Sequence, residues 1–311
     1  MWDRHDPRSL DTPDRPTPDR GESPGPDPRD RVRRDPRDAF TDGLDLPRGL
    51  ERERVLVHDE THRLRGSEVR ALATVGAFRV VPVDDMRGDR DQPGDLWHGD
   101  LDRLRTTGLI RVVGPLDRDS RTTVVTLTER GRELLEANRD SRHEPVQAFY
   151  AGVSRSRELA HDAQVYRAYE RSARQLAARD ARILRIVLEH ELKRDYQRFL
   201  QEPNRDRSDA DGRPKRTREE VRAWADAHDL SMLDGRVQFP VLRIEFELLD
   251  GRREIENDEV TTLHYRGMHA SGKASAGFTR YRAVGGRVGG GGGRRGGGRM
   301  RDPGLAEELL R

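Results

Sequence analysis

Cysteine is absent, which excludes disulfides and thiolate-held metals and fits a reducing compartment. Lysine is scarce: of 59 basic residues only Lys193, Lys215 and Lys273 are lysines, the rest being arginine. Aromatic residues make up 5% and hydrophobic residues 32%, against 37% charged, so apolar material is too thin to give every segment of the 311-residue chain a core. No apolar run approaches the roughly 18 residues that cross a bilayer, and the opening MWDRHDPRSL is too charged for a secretion signal. The expectation is a cytoplasmic protein with no membrane partner. The formal charge is only +2, so the sign of the charge identifies no polyanionic partner. Arginine suits bidentate phosphate contacts, and a GC-rich coding bias produces the same excess.

The apolar residues are concentrated in the middle of the chain. Residues 1–48 repeat Asp, Pro and Arg in units such as DTPDRPTPDR, and residues 284–311 begin VGGRVGGGGGRRGGGRM, so both ends read as disordered arms. Between them, 49–139 and 157–283 carry periodic apolar patterns, and the polar, proline-containing stretch 140–156 reads as a linker or a loosely packed connecting helix. The fold class expected is α+β.

In the first region Ser67 stands where an N-cap would open a helix over EVRALATVGAF, and VVPVDDMRG suits a short second helix opened near Pro82. DLWHGDLDRLRTT, 95–107, forms a third helix with Leu96, Leu101 and Leu104 on one face, closed by Gly108. Its remaining surface carries Asp95, His98, Asp100, Asp102, Arg103 and Arg105, and the aspartates would repel phosphate. LIRVVGPLDRDSRTTVVTLT then reads as a hairpin with Arg118 and Arg121 in its loop. Thr128 follows without a loop and offers its hydroxyl to the first free amides of ERGRELLEANR.

LDRLRTTGLIRVV, the charged loop and TLTERGRELL together are similar to the MarR-type winged helix of bacterial DNA-binding proteins, over about a quarter of the chain. That resemblance implies a recognition helix at 95–107 in the major groove of double-stranded DNA, with His98, Arg103, Arg105, Arg118 and Arg121 as the DNA-binding residues.

In the second region RELAHDAQVYRAYERSARQL is an amphipathic helix, and ARILRIVLEHEL suits a buried strand or helix leading to Glu189 and Glu191. Thr217 and Glu220 have capping-box spacing. In VQFPVLRIEFELLDGRREIENDEVTT, Leu242, Ile244, Phe246 and Leu248 alternate with polar residues, and Asp250-Gly251 signals a hairpin turn. Counted outward from a two-residue turn, Glu259 faces Leu242 on the apolar side, and Glu245 and Glu247 lie on the other. His161 and His228 read as surface or packing residues, since neither has a histidine partner at ligand spacing.

A winged helix followed by a carboxylate-bearing hairpin between helices resembles the replication-relaxation family of plasmids and other mobile elements. The resemblance implies a C-terminal α/β domain of restriction-nuclease type, with FPVLRIEF, Glu259–Thr262 and Lys273 with Tyr281 at its three motifs. The residues it nominates for catalysis are Glu191, Glu245, Glu259 and Lys273, with Glu191 and Glu259 as magnesium ligands. Val241 stands where the family's metal-binding aspartate is expected, and Thr261 where its lysine is, which marks the site as degenerate.

The function expected is that of a DNA-binding accessory protein in replication, relaxation or transfer of a mobile element, needing no cofactor. Its partners would be double-stranded DNA, a second copy in a homodimer and other proteins of the element. The alternatives are a magnesium-dependent endonuclease or nickase, and a protein-interaction module.

Overall fold

A computed structural model of the chain describes residues 35–86, 99–115, 122–140, 145–153, 159–204, 216–261 and 277–282. The chain divides at Asp35, and everything discussed below lies in the unit that begins at Pro36. Of the arms expected at the ends, 284–311 lies outside the described residues, but the arm expected over 1–48 is folded from Pro36 on: Pro36–Phe40 form a short 3-10 helix and Phe40, Leu44 and Leu46 are buried in the core, because these few apolar residues find partners far along the chain. The fold is mixed, with helices and several small sheets, as an α+β class requires.

Two antiparallel strands, β1 (Glu53–Val57) and β2 (Glu60–Leu64), precede helix α1 (Gly66–Phe78). From Ser67 to Phe78 only Arg70 escapes full burial, so α1 is a central post rather than a surface helix. Its N-cap is Arg65, not Ser67. Arginine has no side-chain acceptor, and Glu68 closes the end by accepting the Arg65 amide at 3.0 Å. The segment near Pro82 is not helical: Val81–Pro82 form strand β3, followed by a turn in which the Pro82 carbonyl accepts the amides of Asp85 and Met86. Helix α2 (Asp100–Thr106), strands β4 (Ile110–Val113) and β5 (Val124–Leu127) and helix α3 (Glu129–Ala137) follow. The sheet order is β3-β5-β4, all antiparallel.

The corner between β5 and α3 is built on Thr128. Its hydroxyl accepts the Gly131 amide at 3.1 Å, as an N-cap does, and donates to the Gly108 carbonyl at 2.6 Å. Gly131 is required by space, since a Cβ there would lie 2.2 Å from the Leu109 carbonyl oxygen. The same two residues, Gly108 and Leu109, close α2. Gly108 has φ +71°, its amide reaches the Arg105 carbonyl at 3.0 Å, and the Leu109 amide reaches the Leu104 carbonyl at 3.0 Å. The Thr-Glu-Arg-Gly corner therefore clamps the end of α2 to the start of α3.

Residues 145–153 are irregular and packed down, unlike the loose linker or helix expected. Phe149 is buried, the Tyr150 amide binds Gly76 O and the Gly152 amide binds Leu127 O. Gln147 spans the backbone of strand β6 (Arg182–Leu188), accepting the Ile186 amide at 2.9 Å and donating to the Ile186 carbonyl at 3.3 Å.

The second sheet has the order β11-β10-β9-β6, with β9 (Leu242–Glu247), β10 (Arg253–Thr261) and β11 (Thr279–Arg282). Helix α4 (Leu159–Ala177) lies on one face, where Tyr166, Tyr169 and Leu176 meet Ile186, Leu242, Ile244 and Phe246. Phe78 of α1 joins this core edge-on to Tyr166, with ring centroids 5.1 Å apart. The apolar run at 182–188 is thus a strand, and helix α5 (Glu189–Gln201) starts directly from it. A smaller cluster gathers Leu192 of α5, Ala225 of helix α6 (Arg218–Ala227) and Leu230 around Val187. Thr217 and Glu220 close α6 with both capping-box bonds, at 2.8 and 3.2 Å. Beyond α6, Met232–Leu233 and Arg236–Val237 form a short hairpin, β7 and β8.

The β9–β10 turn differs from the two-residue count. Gly251, at φ +81°, donates to the Leu248 carbonyl, and Leu248 and Arg252 face each other across a three-residue loop. Glu247 therefore pairs with Arg253, and Leu242 pairs with Asp258 rather than Glu259. One residue of slip exchanges the faces of β10. Asp258 points to the apolar side under α4, while Glu259 belongs to the side of Asn257, Arg243 and Glu245.

Candidate nucleic-acid interface and the buried carboxylates

Helix α2 is held by an acid at its first residue. Asp100 is fully buried. Its Oδ1 accepts from Arg65 and, at 3.0 Å, from Arg52; its Oδ2 accepts from Ser67 Oγ at 2.9 Å. Arg52 also grips Glu68 with Nε and Nη2 at 2.9–3.1 Å, which raises the pKa of the guanidinium. Such a buried network is stable only while every charge has its partner. The consequence for α2 concerns sign: Asp100, expected to repel an anion, faces inward and is neutralised.

What α2 leaves outside is mostly basic or hydroxylic. Arg105 is 60% exposed, with Asp102 Oδ1 3.3 Å away, and Arg103 is 41% exposed, 3.6 Å from Glu68. Thr106 and Thr107 turn their hydroxyls back onto backbone carbonyls of the same helix. Beside the helix end, Arg111 of β4 stands exposed next to Val112. His98, Arg118 and Arg121 lie outside the described residues.

Of the carboxylates nominated for catalysis, Glu245 and Glu191 are bound to other groups. Both oxygens of Glu245 are taken by Arg185 of the neighbouring strand, at 2.8 Å each, which raises the guanidinium pKa. Glu191 is buried at the third position of α5 and accepts the Leu188 amide at 3.0 Å; burial raises its pKa. It lies beside Tyr150, whose hydroxyl pKa is pushed up by burial and by Glu191. Glu259 is buried at the end of β10. Lys273 lies outside the described residues. Among the described residues no three His, Asp or Glu side chains are grouped to hold a metal ion. With Val241 where a carboxylate is expected and Glu245 closed by a guanidinium, the described residues do not fit a magnesium site.

One buried acid escaped the reading of the sequence. Asp258 is 1% exposed; its Oδ2 accepts Ser172 Oγ at 2.7 Å, and its Oδ1 has no hydrogen-bond partner among the described residues. Burial, reinforced by Glu256 and opposed by Ser172 and Arg171, pushes its pKa up to about 7. The signal was the glycine in Leu-Asp-Gly, which admits a bulged turn as readily as a tight one.

No protein-family model matches the sequence, and no curated protein or solved structure matches it either.

Proposed function

We propose that the protein binds double-stranded DNA through a winged helix spanning α1 to α3, as an accessory factor of a mobile genetic element. The order helix, short strand, helix, hairpin, helix, with the first strand pairing the last, supports this reading. The observation that carries it is the polarity of α2: Asp100 is folded inward onto Arg52 and Arg65, and the outside carries Arg103, Arg105 and neighbouring Arg111 against the single exposed acid Asp102. Phosphates are met by guanidiniums, and bases by whatever α2 sends into the groove. The second sheet acts as a scaffold for this unit, a role favoured over hydrolysis by the capture of Glu245 by Arg185.

Fluorescence polarisation of a labelled duplex between 50 and 200 mM salt tests the reading. About four neutralised phosphates give a log–log slope of about −3.6. Arg103→Ala with Arg105→Ala, and separately Arg118→Ala with Arg121→Ala, should each make the slope less negative by one to two units, about 0.9 for each phosphate no longer neutralised. Absence of binding to any duplex at 50 mM salt ends the proposal.

A further inference from the structure

The β1–β2 hairpin has two faces with different charge. Its inner face carries Val55, Val57, His62 and Leu64 toward the core, with Glu53 and Glu60 on the same side by alternation. Its outer face carries Arg54, Leu56, Thr61 and Arg63, all exposed and without a carboxylate among them. Arg54 stands directly opposite Arg63 in the strand register. Like charges in that relation destabilise a strand pair. Neither arginine has a hydrogen bond or an ion pair among the described residues.

One step toward the base of the hairpin, the same pattern occurs in closed form. Arg52 and buried Arg65 immediately flank the two strands and by alternation fall on the row of Arg54 and Arg63, and both donate to Oδ1 of Asp100. The hairpin therefore presents two successive rungs of paired arginines, about 7 Å apart along the strands. The first is filled by the carboxylate that anchors α2. The second is filled by no acid among the described residues.

We infer that Arg54 and Arg63 are a phosphate clasp: the open rung takes one backbone phosphate of the duplex that α2 faces, much as the closed rung takes the Asp100 carboxylate. Two guanidinium forks converging on one oxyanion give a charge-assisted contact that reads no sequence and fixes register. Because Asp100 ties the hairpin base to the first residue of α2, the clasp and the helix move as one piece. Exposed Leu56, on the next position of the same face, leans on the sugar beside the bound phosphate.

The inference rests on the proposed DNA binding, and the polarisation assay separates the two. The full-length Arg54→Ala, Arg63→Ala variant should bind about tenfold more weakly at 50 mM salt, with a slope less negative by about one unit, while the wild type keeps its full slope. Arg54→Lys with Arg63→Lys should restore the slope and recover affinity only in part. Arg54→Glu places an acid opposite Arg63, so its melting temperature should equal or exceed that of the wild type while binding falls as in the double alanine variant. A wild type that binds no duplex overturns both proposals. A wild type that binds, with the double alanine variant matching it in affinity and slope, overturns the clasp alone. Loss of binding accompanied by a lowered melting temperature in all three variants also overturns it, because the hairpin would then matter only as structure.

Discussion

Ser172 Oγ sits 2.7 Å from Oδ2 of Asp258 and gives that buried carboxyl its one hydrogen bond among the described residues. An unfolded aspartate titrates near 3.8 and this one near 7, so the unfolded chain releases the proton first. Stability from this group is complete below about pH 4 and is lost as pH rises to about 7, a change on the order of 4 kcal/mol. His190 works the other way. Burial lowers its pKa to about 4, so its contribution is present above about pH 6.5 and lost as pH falls. Asp258→Asn should therefore stabilise the protein at pH 8, do little at pH 4, and leave a melting profile that falls less with rising pH than that of the wild type. Parallel pH profiles for variant and wild type would show that Asp258 does not titrate as described.

The Thr128 corner should be sensitive to small changes. Thr128→Val keeps the shape and removes both hydrogen bonds, at a cost of about 1–2 kcal/mol. Gly131→Ala should cost more, because the added carbon meets the Leu109 carbonyl oxygen at 2.2 Å and a backbone must move. Chemical denaturation would rank them, and an alanine at 131 tolerated without loss would mean that the corner is looser than described.

Asp100→Ala leaves Arg65 and Arg52 without the buried acid to which both donate. Removing one member of such a network typically costs about 3–5 kcal/mol. The DNA binding proposed for α2 should disappear along with stability, although no positive charge is removed. Asp100→Asn should fall between, since its amide oxygen can still accept from both arginines while the charge, and the acceptor that Ser67 Oγ used, are lost.

Arg185 and Glu245 face each other from β6 and β9 with two 2.8 Å bonds. Each single alanine variant should be less stable than the double variant relative to additivity, with a coupling of about 1–2 kcal/mol in a double-mutant cycle. Glu245→Gln should leave DNA affinity unchanged. Additive single effects would remove the pair from any account of sheet stability.

Much of this fold was legible because local chemistry agreed with the global outcome. Thr128, the Thr217–Glu220 pair, Gly108 and the alternation of Leu242, Ile244 and Phe246 each specify their structure within a few residues, and each is found as expected. The failures were of another kind. Ser67 looked like a cap until Asp100, 33 residues away, claimed its hydroxyl. Asp100 looked like a surface acid for the same reason: nothing nearby in the chain announces Arg52 and Arg65 as its partners. The β10 register turned on a single residue of loop length, which the words Asp-Gly do not decide.

Gln147 has a consequence for the whole molecule. Strand β6 ends its sheet, and an uncovered strand edge invites a matching strand from another chain. By answering both the amide and the carbonyl of Ile186, one glutamine side chain imitates that neighbour and occupies the middle of the border. The segment expected to be slack thus caps the middle of that border, leaving Ile186 no free backbone group to offer a matching strand.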